Sequence, residues 1–399
     1  MICQFSFKNF KSFKDETTFD FRADNINELS DTLIVDSDNE MLLPVSVIYG
    51  PNGGGKTTLL QALSFVINIV VSPIAALGKA RTNPIIQQSV ISEPFLFDPA
   101  CHDLPTEFNL FFRTNGNEYR YYLSIFRGDV VEESLRRRTV TGKKSAILFE
   151  REGKDVTLGA SLDKNLNTAV NPKMPYLSFL SINYDIPSIV DVQLWFESCI
   201  IRNYSNPVIE GNVIIFRRDE DKKQLIKTFN NMDIDLIDFR FDEVTRGFFI
   251  KHRVDDNICE LELGKESEGT KKLFAILPTI QIALQTGRLA IVDELDAKLH
   301  PKLLRYIIKL FSNREINKYG AQLLFTSHDL STMKNDVFRR DEIWFASLDE
   351  KRASKIFALS DIRNVDGKRV NQTASYDKQY LEGRYGADPY LQNMLNWES

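Results

Sequence analysis

The segment Val45–Leu59, which reads VSVIYGPNGGGKTTL, constrains the fold of this chain more than any other stretch. It opens with Val45–Tyr49, a short run of apolar and β-branched residues such as a buried parallel strand contains. Gly50–Thr57 then satisfies every fixed position of the pattern G-x-x-x-x-G-K-[ST]. Apolar residues at helical spacing follow in Thr58–Val70, which contains no proline. The sequence therefore predicts a strand, a glycine-rich loop and a helix in direct succession.

A loop of this kind has the chemistry of a phosphate-binding site. Glycines let the backbone turn its N–H groups inward without a Cβ penalty, and the following helix directs its positive end to the same place. Lys56 would reach the β- and γ-phosphates of a nucleotide, and the Thr57 hydroxyl would ligate Mg²⁺. A glycine-rich hairpin loop is the alternative, but the flanking strand and helix favour nucleotide binding. The nucleotide-binding residues predicted here are Asn52, Gly53, Gly54, Gly55, Lys56, Thr57 and Thr58.

Composition and charge exclude several classes of protein. The chain has 399 residues, and 43% hydrophobic with 26% charged residues is ordinary for a folded, water-soluble protein. A formal net charge of -5 provides no general attraction to nucleic acid. Four separated cysteines without a C-x-x-C pair disfavour a disulfide framework or a zinc site. The N-terminus is unlike a signal peptide, and the most apolar stretch, Leu59–Leu77, is interrupted by polar residues and a proline. We therefore expect a cytoplasmic protein without a membrane segment.

Two adjacent carboxylates end a second apolar strand, Leu289–Glu294. Asp293 would hold Mg²⁺ through its water shell, and Glu294 would orient or deprotonate the attacking water. A hydrophobic run that ends in Asp-Glu is common in many kinds of protein. Here it is followed directly by Leu295–Pro301, which reads LDAKLHP.

Two further patterns lie on either side of this strand. Ser267 and Gly269 form a Ser-x-Gly pattern at the start of a predicted helix, which makes a second anion site. Gln322–Thr326 predicts another buried strand, and His328 follows it. A lone histidine at a strand end is usually structural, but next to the carboxylate strand it can reach the γ-phosphate.

The remaining elements suggest how the chain is divided. Ile2–Phe7 and Thr17–Phe21 alternate apolar and polar residues, as paired strands do. Further strand patterns continue to about residue 150, whereas Val190–Ile201 and Lys222–Met232 predict helices. The predicted divisions are residues 1–160 for the first part of a nucleotide-binding head with a β-rich lobe, 161–235 for a helical insertion, and 236–399 for the rest of the head.

The order of these motifs resembles the ABC class of ATPases, and within it the soluble SMC/RecF/OLD branch. The turn Lys8–Phe13 before the loop is similar to the N-terminal strand and turn of that branch. The run Asp293–Pro301 and the tail Tyr380–Ala387 most resemble the RloA-type and OLD-like bacterial ATPases. The resemblance implies an α/β fold, namely an ABC-type ATPase head with a P-loop mixed sheet and a β-rich lobe, carrying a short helical insertion.

The resemblance also implies a mechanism and a partner. Two copies of the chain would sandwich two ATP molecules in an ATP-dependent head-to-head dimer, with a higher oligomer left open. Ser267, Gly269 and Asp296 of one copy would act at the nucleotide of the other, and His328 would sense the γ-phosphate. Lys11 or Ser12 would contact the base or the sugar. The implied catalytic residues are Glu294, His328 and Lys56, and the implied ligands of Mg²⁺ are Thr57 and Asp293.

This sequence departs from the family pattern at two points. The usual signature reads Ser-Gly-Gly-Gln, whereas here Glu268 replaces the first glycine and Thr270 replaces the glutamine. We expect Glu268 to add negative charge near the γ-phosphate of the other copy. The glutamine of the loop that links the two lobes has only two weak candidates, Gln87 and Gln88.

The resemblance suggests an ATPase of a bacterial anti-phage defence system, which controls an effector. Few residues follow His328, so we expect a nuclease or toxin effector to be a separate chain. A DNA-repair or recombination ATPase of the RecF/SMC kind is the alternative, for which basic clusters at Arg136–Arg138, Lys143–Lys144 and Arg217–Arg218 could contact DNA. A transporter subunit is disfavoured by the large middle region and the altered signature.

Overall fold

The computed structural model describes residues 1–73, 92–203, 219–232, 234–245, 247–255, 257–363 and 367–387. The candidates Gln87 and Gln88 and the basic pair Arg217–Arg218 lie outside these residues. Within the described residues, no helix is long and apolar enough to span a membrane.

A six-stranded sheet carries the glycine-rich loop. Its strand order is β11-β15-β16-β5-β17-β18, parallel throughout except that β17 and β18 are antiparallel. The strands are β5 (Val45–Tyr49), β11 (Ile200–Asn203), β15 (Leu289–Asp293), β16 (Gln322–Thr326), β17 (Ile343–Leu348) and β18 (Ser354–Ala358). All five residues of β5, β15 and β16 are buried, as expected for parallel strands that are covered on both faces.

A seven-stranded antiparallel sheet forms the β-rich lobe predicted from the sequence. Its order is β10-β9-β8-β7-β6-β1-β2, and two-residue turns connect β6 to β7, β7 to β8 and β9 to β10. The strands are β1 (Ile2–Lys8), β2 (Thr17–Asp20), β6 (Thr106–Thr114), β7 (Asn117–Phe126), β8 (Asp129–Thr139), β9 (Ala146–Glu152) and β10 (Asp155–Leu158). The predicted Asn-Gly turn joins β6 to β7, with Asn115 and Gly116 both at positive φ.

Two smaller sheets complete the strands. A two-stranded sheet pairs β3 with β4, and a three-stranded antiparallel sheet has the order β12-β13-β14. Their bounds are β3 (Ile34–Val35), β4 (Met41–Leu42), β12 (Asp238–Asp242), β13 (Gly247–Val254) and β14 (Asn257–Glu262). A short 3-10 helix, Leu263–Lys265, connects the three-stranded sheet to the helix that carries the Ser-x-Gly pattern.

Helices cover both faces of the central sheet. They are α1 (Lys56–Val71), α2 (Tyr176–Asn183), α3 (Pro187–Ser198), α4 (Asp219–Asn231), α5 (Glu268–Thr286), α6 (Pro301–Ser312) and α7 (Tyr376–Leu381). Helices α1, α2 and α3 share one apolar core with the antiparallel lobe, whereas α4, α5 and α6 share a second core on the opposite face. Along β15, Ile291 points into the first core and Val292 into the second, so the sheet separates the two cores.

The structure places a strand where the sequence pattern predicted the end of a helix. We predicted one helix over Val190–Ile201, but α3 ends at Ser198 and Ile200 begins β11. Cys199 has extended backbone angles, and the β-branched pair that follows it pairs in parallel with Ala290 and Ile291 of β15. Local apolar spacing could not reveal this pairing, because the partner strand lies about ninety residues further along the chain.

The middle segment therefore contributes to the central sheet as well as to helices. Residues 161–235 contain α2, α3, α4 and also β11, which lies at one edge of the sheet. Helix α2 packs on α1 and α3, and the Ser178 hydroxyl donates to the Val70 carbonyl at 2.8 Å. The mixed α/β fold class, with a P-loop sheet and a β-rich lobe, is the one the sequence predicts.

Candidate functional site

The glycine-rich loop joins β5 to α1, which begins at Lys56. Its shape depends on glycine at two positions where the neighbouring strands come close. A Cβ on Gly50 would lie 2.1 Å from the Ala346 carbonyl oxygen of β17, and Gly50 has φ 143°. A Cβ on Gly55 would lie 2.5 Å from the Ser354 hydroxyl of β18, and Gly55 has φ 108°. Both positions therefore combine a left-handed backbone with backbone or side-chain atoms too close for any side chain.

The Lys56 side chain reaches back from the start of α1 into the loop. Its Nζ donates to the carbonyl oxygens of Gly50 at 2.8 Å and Pro51 at 3.0 Å. Burial lowers the pKa of this lysine, while the nearby carboxylates of Asp293 and Glu294 act in the opposite direction. The ammonium group is thus held among backbone carbonyls beside acidic residues, in position to receive the negative charge of a phosphate.

Asp293, at the end of β15, connects three elements beneath the loop. It accepts a hydrogen bond from the Thr57 hydroxyl of α1, at 3.1 and 3.2 Å to its two oxygens. The Thr326 hydroxyl of β16 donates at 2.6 Å, and the Asn203 amide of β11 donates at 3.3 Å. The structure therefore brings together Thr57 and Asp293, whose hard oxygen atoms are suited to Mg²⁺.

Glu294 has an unusual backbone conformation. Its φ is 53°, a left-handed value that costs free energy in a residue other than glycine. Its N–H donates to the Thr326 hydroxyl at 2.8 Å. Its carbonyl accepts from the Lys272 Nζ at 2.8 Å and from the Ala297 N–H at 3.2 Å. These bonds hold the peptide groups before and after Glu294, whose side chain is half-buried.

The Asp296 side chain contacts the backbone of His328. The His328 N–H donates to one Asp296 oxygen at 2.9 Å, whereas the other oxygen is buried and has no hydrogen-bond partner in the described part of the chain. The His328 side chain itself is exposed beyond the end of β16. The loops that follow β15 and β16 are therefore joined at the same edge of the sheet as the glycine-rich loop.

Ser267 caps the N-terminus of α5. Its hydroxyl accepts from the Thr270 N–H at 3.1 Å and lies 2.8 Å from the Thr270 hydroxyl, and the residue is exposed. Its neighbour Glu268 forms ion pairs with Lys271 at 3.0 Å and with Lys298 at 2.9 Å. These lysines lower the pKa of the Glu268 carboxyl. The carboxylate that the altered signature introduces is thus paired with two lysines of the same chain, and its effect on the nucleotide of a second copy stays a prediction.

Gly269 lies next to the loop after β15. A Cβ built on it would lie 3.6 Å from the Lys298 carbonyl oxygen, an ordinary contact. The first turn of α5 therefore lies against residues 294–298 of the same chain.

Lys11 and Ser12 lie beside the helix and the loop. The Lys11 Nζ donates to the Gln61 side chain of α1 at 2.9 Å. The Ser12 hydroxyl accepts from the Ser354 hydroxyl at 2.8 Å, and Ser354 is the residue that approaches Gly55. Both residues are thus close to the C-terminal end of the glycine-rich loop, and a contact with a base or sugar remains a prediction.

The tail that resembles the OLD-like group packs on the central sheet. The rings of Tyr380 and Tyr385 lie 5.5 and 5.2 Å from the ring of Phe345 in β17, measured between centroids. The Tyr380 hydroxyl donates to the Ala387 carbonyl at 2.9 Å. The tail therefore covers the strand next to β5.

Sequence reasoning missed three residues that hold the site: Thr326, Asn203 and Lys272. Thr326 ends the strand beside the carboxylate strand, a position that sequence order alone could have marked. Asn203 has no such signal, because the apolar pattern predicts a helix up to Ile201 and so hides the start of β11. Lys272 had one usable signal, since it is a charged residue next to an uninterrupted apolar run, Leu273–Leu277.

The fold and this site define a P-loop nucleotide-binding protein, in which a strand, loop and helix face a strand that ends in Asp-Glu. A protein-family model described as "AAA domain, putative AbiEii toxin, Type IV TA system" matches residues 45–334. The chain belongs to this family, because the match spans well over half of its length. The matched residues begin at β5 and end beyond His328, so they contain both sides of the site.

Solved structures with similar folds were also found. The SMC head domain from Thermotoga maritima is 15% identical, covers 90% of this chain and 98% of its own, and has a TM-score of 0.44. The SmcHead bound to the C-winged helix domain of ScpA is 14% identical, with coverages of 90% and 97% and a TM-score of 0.49. The Smc head domain with an extended coiled coil derived from Pyrococcus furiosus is 11% identical, with coverages of 90% and 96% and a TM-score of 0.41. No curated protein matched the sequence significantly.

Proposed function

We propose that this chain binds and hydrolyses ATP, and that two copies form a dimer around two ATP molecules. The observation that carries the proposal is the contact between the Thr57 hydroxyl and the Asp293 carboxylate directly beneath the glycine-rich loop. Strands β5 and β15, on either side of β16, bring these residues together from positions 236 residues apart in the sequence. Membership of an AAA-type ATPase family supports the same activity.

Within one chain, the residues fit a triphosphate and Mg²⁺. Lys56 would exchange its two carbonyl partners for phosphate oxygens, which are stronger acceptors because they carry charge. Thr57 and Asp293 would hold Mg²⁺, which supplies positive charge to the phosphate oxygens when it is bound. Glu294 would orient or deprotonate the attacking water, since it is the first residue beyond the metal-binding carboxylate.

The second chain would complete each site. Ser267 and Gly269 lie at the N-terminus of α5, where Ser267 is exposed and where the backbone N–H groups and the helix dipole favour an anion. Asp296 has one carboxylate oxygen that is buried and lacks a hydrogen-bond partner among the described residues, and the exposed His328 lies at the same edge of the sheet. In the proposed dimer, Asp296 crosses the interface and His328 contacts the γ-phosphate.

We further propose that the ATPase belongs to a bacterial anti-phage defence system of the OLD-like and RloA-like kind, in which it controls a separate nuclease or toxin effector. The family description, which refers to a toxin and to a toxin–antitoxin system, supports this setting. Infection of bacteria that express the chain with and without its neighbouring genes tests it. Protection that needs both the intact chain and a neighbouring effector gene is expected, and equal phage yields would contradict it.

The DNA-binding alternative receives less support from the basic cluster on β8. Arg136 forms an ion pair with Glu150 at 2.8 Å, and Arg138 forms one with Glu118 at 2.7 Å. Because these carboxylates neutralise two of the three arginines, the cluster offers little free positive charge to a phosphate backbone. We therefore retain the effector-controlling function as the primary proposal.

Replacement of Glu294 by glutamine tests the ATPase proposal. Glu294→Gln keeps the size of the side chain and removes only the ability to accept a proton, so ATP affinity should stay unchanged. Turnover should fall by about 100-fold or more, the usual contribution of a general base. Light scattering after addition of ATP should then detect a stable dimer, because the bound ATP is no longer consumed.

The exposed residue Glu315 provides the matched control. Glu315→Gln makes the same chemical change at a surface position and should leave binding, turnover and dimer lifetime unchanged. Wild-type protein that neither binds nor hydrolyses ATP would contradict the proposed function. Normal turnover in Glu294→Gln would contradict only the role given to Glu294.

A further inference from the structure

Lys272 is fully buried, with no exposed surface, although it carries an ammonium group. Buried lysines are rare, because an unpaired charge in a protein interior is costly. This one lies in the first turns of α5, and its Nζ donates to the Glu294 carbonyl at 2.8 Å. Burial lowers the pKa of Lys272 to about 8, with Asp296 and Glu294 acting in the opposite direction. The buried Lys272 side chain therefore reaches the main chain of Glu294, the residue that would direct the attacking water.

The main chain of Glu294 needs such support. Its φ of 53° is strained for a residue with a side chain, and strained backbones persist where several contacts hold them. The Thr326 hydroxyl holds the peptide group before it and Lys272 holds the peptide group after it. The direction of the Glu294 side chain follows from this backbone conformation, because the Cα geometry sets where Cβ points.

A second contact joins the same two elements. Lys298 has φ 63° and forms an ion pair at 2.9 Å with Glu268, the first residue of α5. Both left-handed residues in the loop after β15, Glu294 and Lys298, are therefore bonded to the first turns of α5. That helix also carries Ser267 as its N-cap.

We propose that Lys272 is a positioning residue that fixes the Glu294 carboxylate for water activation, and that it links this carboxylate to the helix end carrying Ser267. The inference rests on the proposed ATPase function and deepens it. The helix α5 is continuous from Glu268. When its N-terminus docks on a second copy's nucleotide, the position of Lys272 and, through it, of the Glu294 main chain in the same chain would be affected. Each chain would then become competent for hydrolysis when its helix end engages the other copy.

The test replaces Lys272 by methionine, an unbranched side chain that fits a buried channel but cannot donate to the Glu294 carbonyl. Small displacements of catalytic groups cost up to about 100-fold, so kcat should fall about 10- to 100-fold, with KM for ATP changed by less than about threefold. Calorimetric ATP-binding stoichiometry measures the fraction of intact sites, and kcat is expressed per intact site. Lys309→Met, which removes an exposed lysine of α6, is the matched control and should match wild type.

Each result is decisive. A kcat in Lys272→Met within about twofold of wild type would overturn the inference while leaving the ATPase function standing. Wild-type protein without turnover would overturn both together. If Lys272→Met does not fold, Lys272→Arg, which keeps a charged donor, takes its place and should retain both ATP binding and measurable turnover. If neither variant melts cooperatively, the lysine serves folding alone, and the inference is wrong.

Discussion

The two sides of the proposed ATP site differ in how completely one chain builds them. Around the glycine-rich loop, Asp293 is buried and accepts from three side chains on three different elements. At the start of α5, Ser267 is exposed, and the hydrogen bonds described for its hydroxyl go to Thr270 in its own turn. The first side is held by tertiary contacts, and the second is a helix end that faces outward.

This difference indicates which step needs a partner. Catalytic groups act best when neighbouring contacts hold them before the substrate arrives, and the loop side meets that condition within one chain. The helix end can contact a triphosphate only if a nucleotide is brought to it. We therefore expect ATP binding to be a property of one chain and hydrolysis to be a property of two.

The largest expected effect comes from the loop side. Lys56→Ala removes the charged donor that would bind the β- and γ-phosphates, so ATP affinity should fall by about 100-fold or more, or ~2.8 kcal/mol. Equilibrium dialysis of the monomer measures this ATP affinity. Lys227→Ala, at an exposed position of α4, is the control and should bind normally. An unchanged ATP affinity in Lys56→Ala would show that the glycine-rich loop does not bind the phosphates of ATP.

A smaller effect is expected at the helix end. Ser267→Asp keeps a good N-cap for α5 but places a negative charge where the second copy's triphosphate would lie. Dimerisation with ATP should weaken about tenfold or more, ~1.4 kcal/mol, while one chain still binds ATP as wild type does. Sedimentation at several protein concentrations measures the dimer.

Asparagine at the same position separates charge from capping. Ser267→Asn is also a good N-cap and is neutral, so it should dimerise far better than Ser267→Asp. Equal dimerisation of Ser267→Asp and wild type would mean that this helix end does not contact a nucleotide of the second copy. The proposed division of the site between the glycine-rich loop and the N-terminus of α5 would then be wrong.

The smallest effect should come from Glu268, which is exposed and pairs with Lys271 and Lys298. The lysines lower the pKa of Glu268, so its ion pairs stabilise the folded protein at neutral pH and are lost as the pH falls through the carboxyl range. The melting temperature of Glu268→Gln should be slightly lower than that of wild type at neutral pH and equal to it in acid. Its turnover should change less than about threefold, because exposed ion pairs contribute little. A large loss of turnover would show that Glu268 acts in the site itself.

Much of the site could be predicted from the sequence, because its motifs are local. The glycine-rich loop needs glycines at closely spaced positions with positive φ, and the Asp-Glu strand end needs only a short apolar run before it. The boundary between α3 and β11 could not be predicted, because Ile200 and Ile201 suit a helix face and a strand equally well. For the same reason Asn203 was missed at the Asp293 carboxylate.

The amino-acid sequence by itself determined the phosphate loop, the paired carboxylates and the strand pattern of the lobe. These features depend on neighbouring residues and on periodicities of two or 3.6, which are visible along one chain. Only the tertiary structure decided that Lys272 reaches Glu294, that Lys298 pairs with Glu268, and that β11 joins the central sheet. Each of these contacts links residues far apart in the chain, and their formation depends on how the sheets and helices pack, which no local pattern encodes.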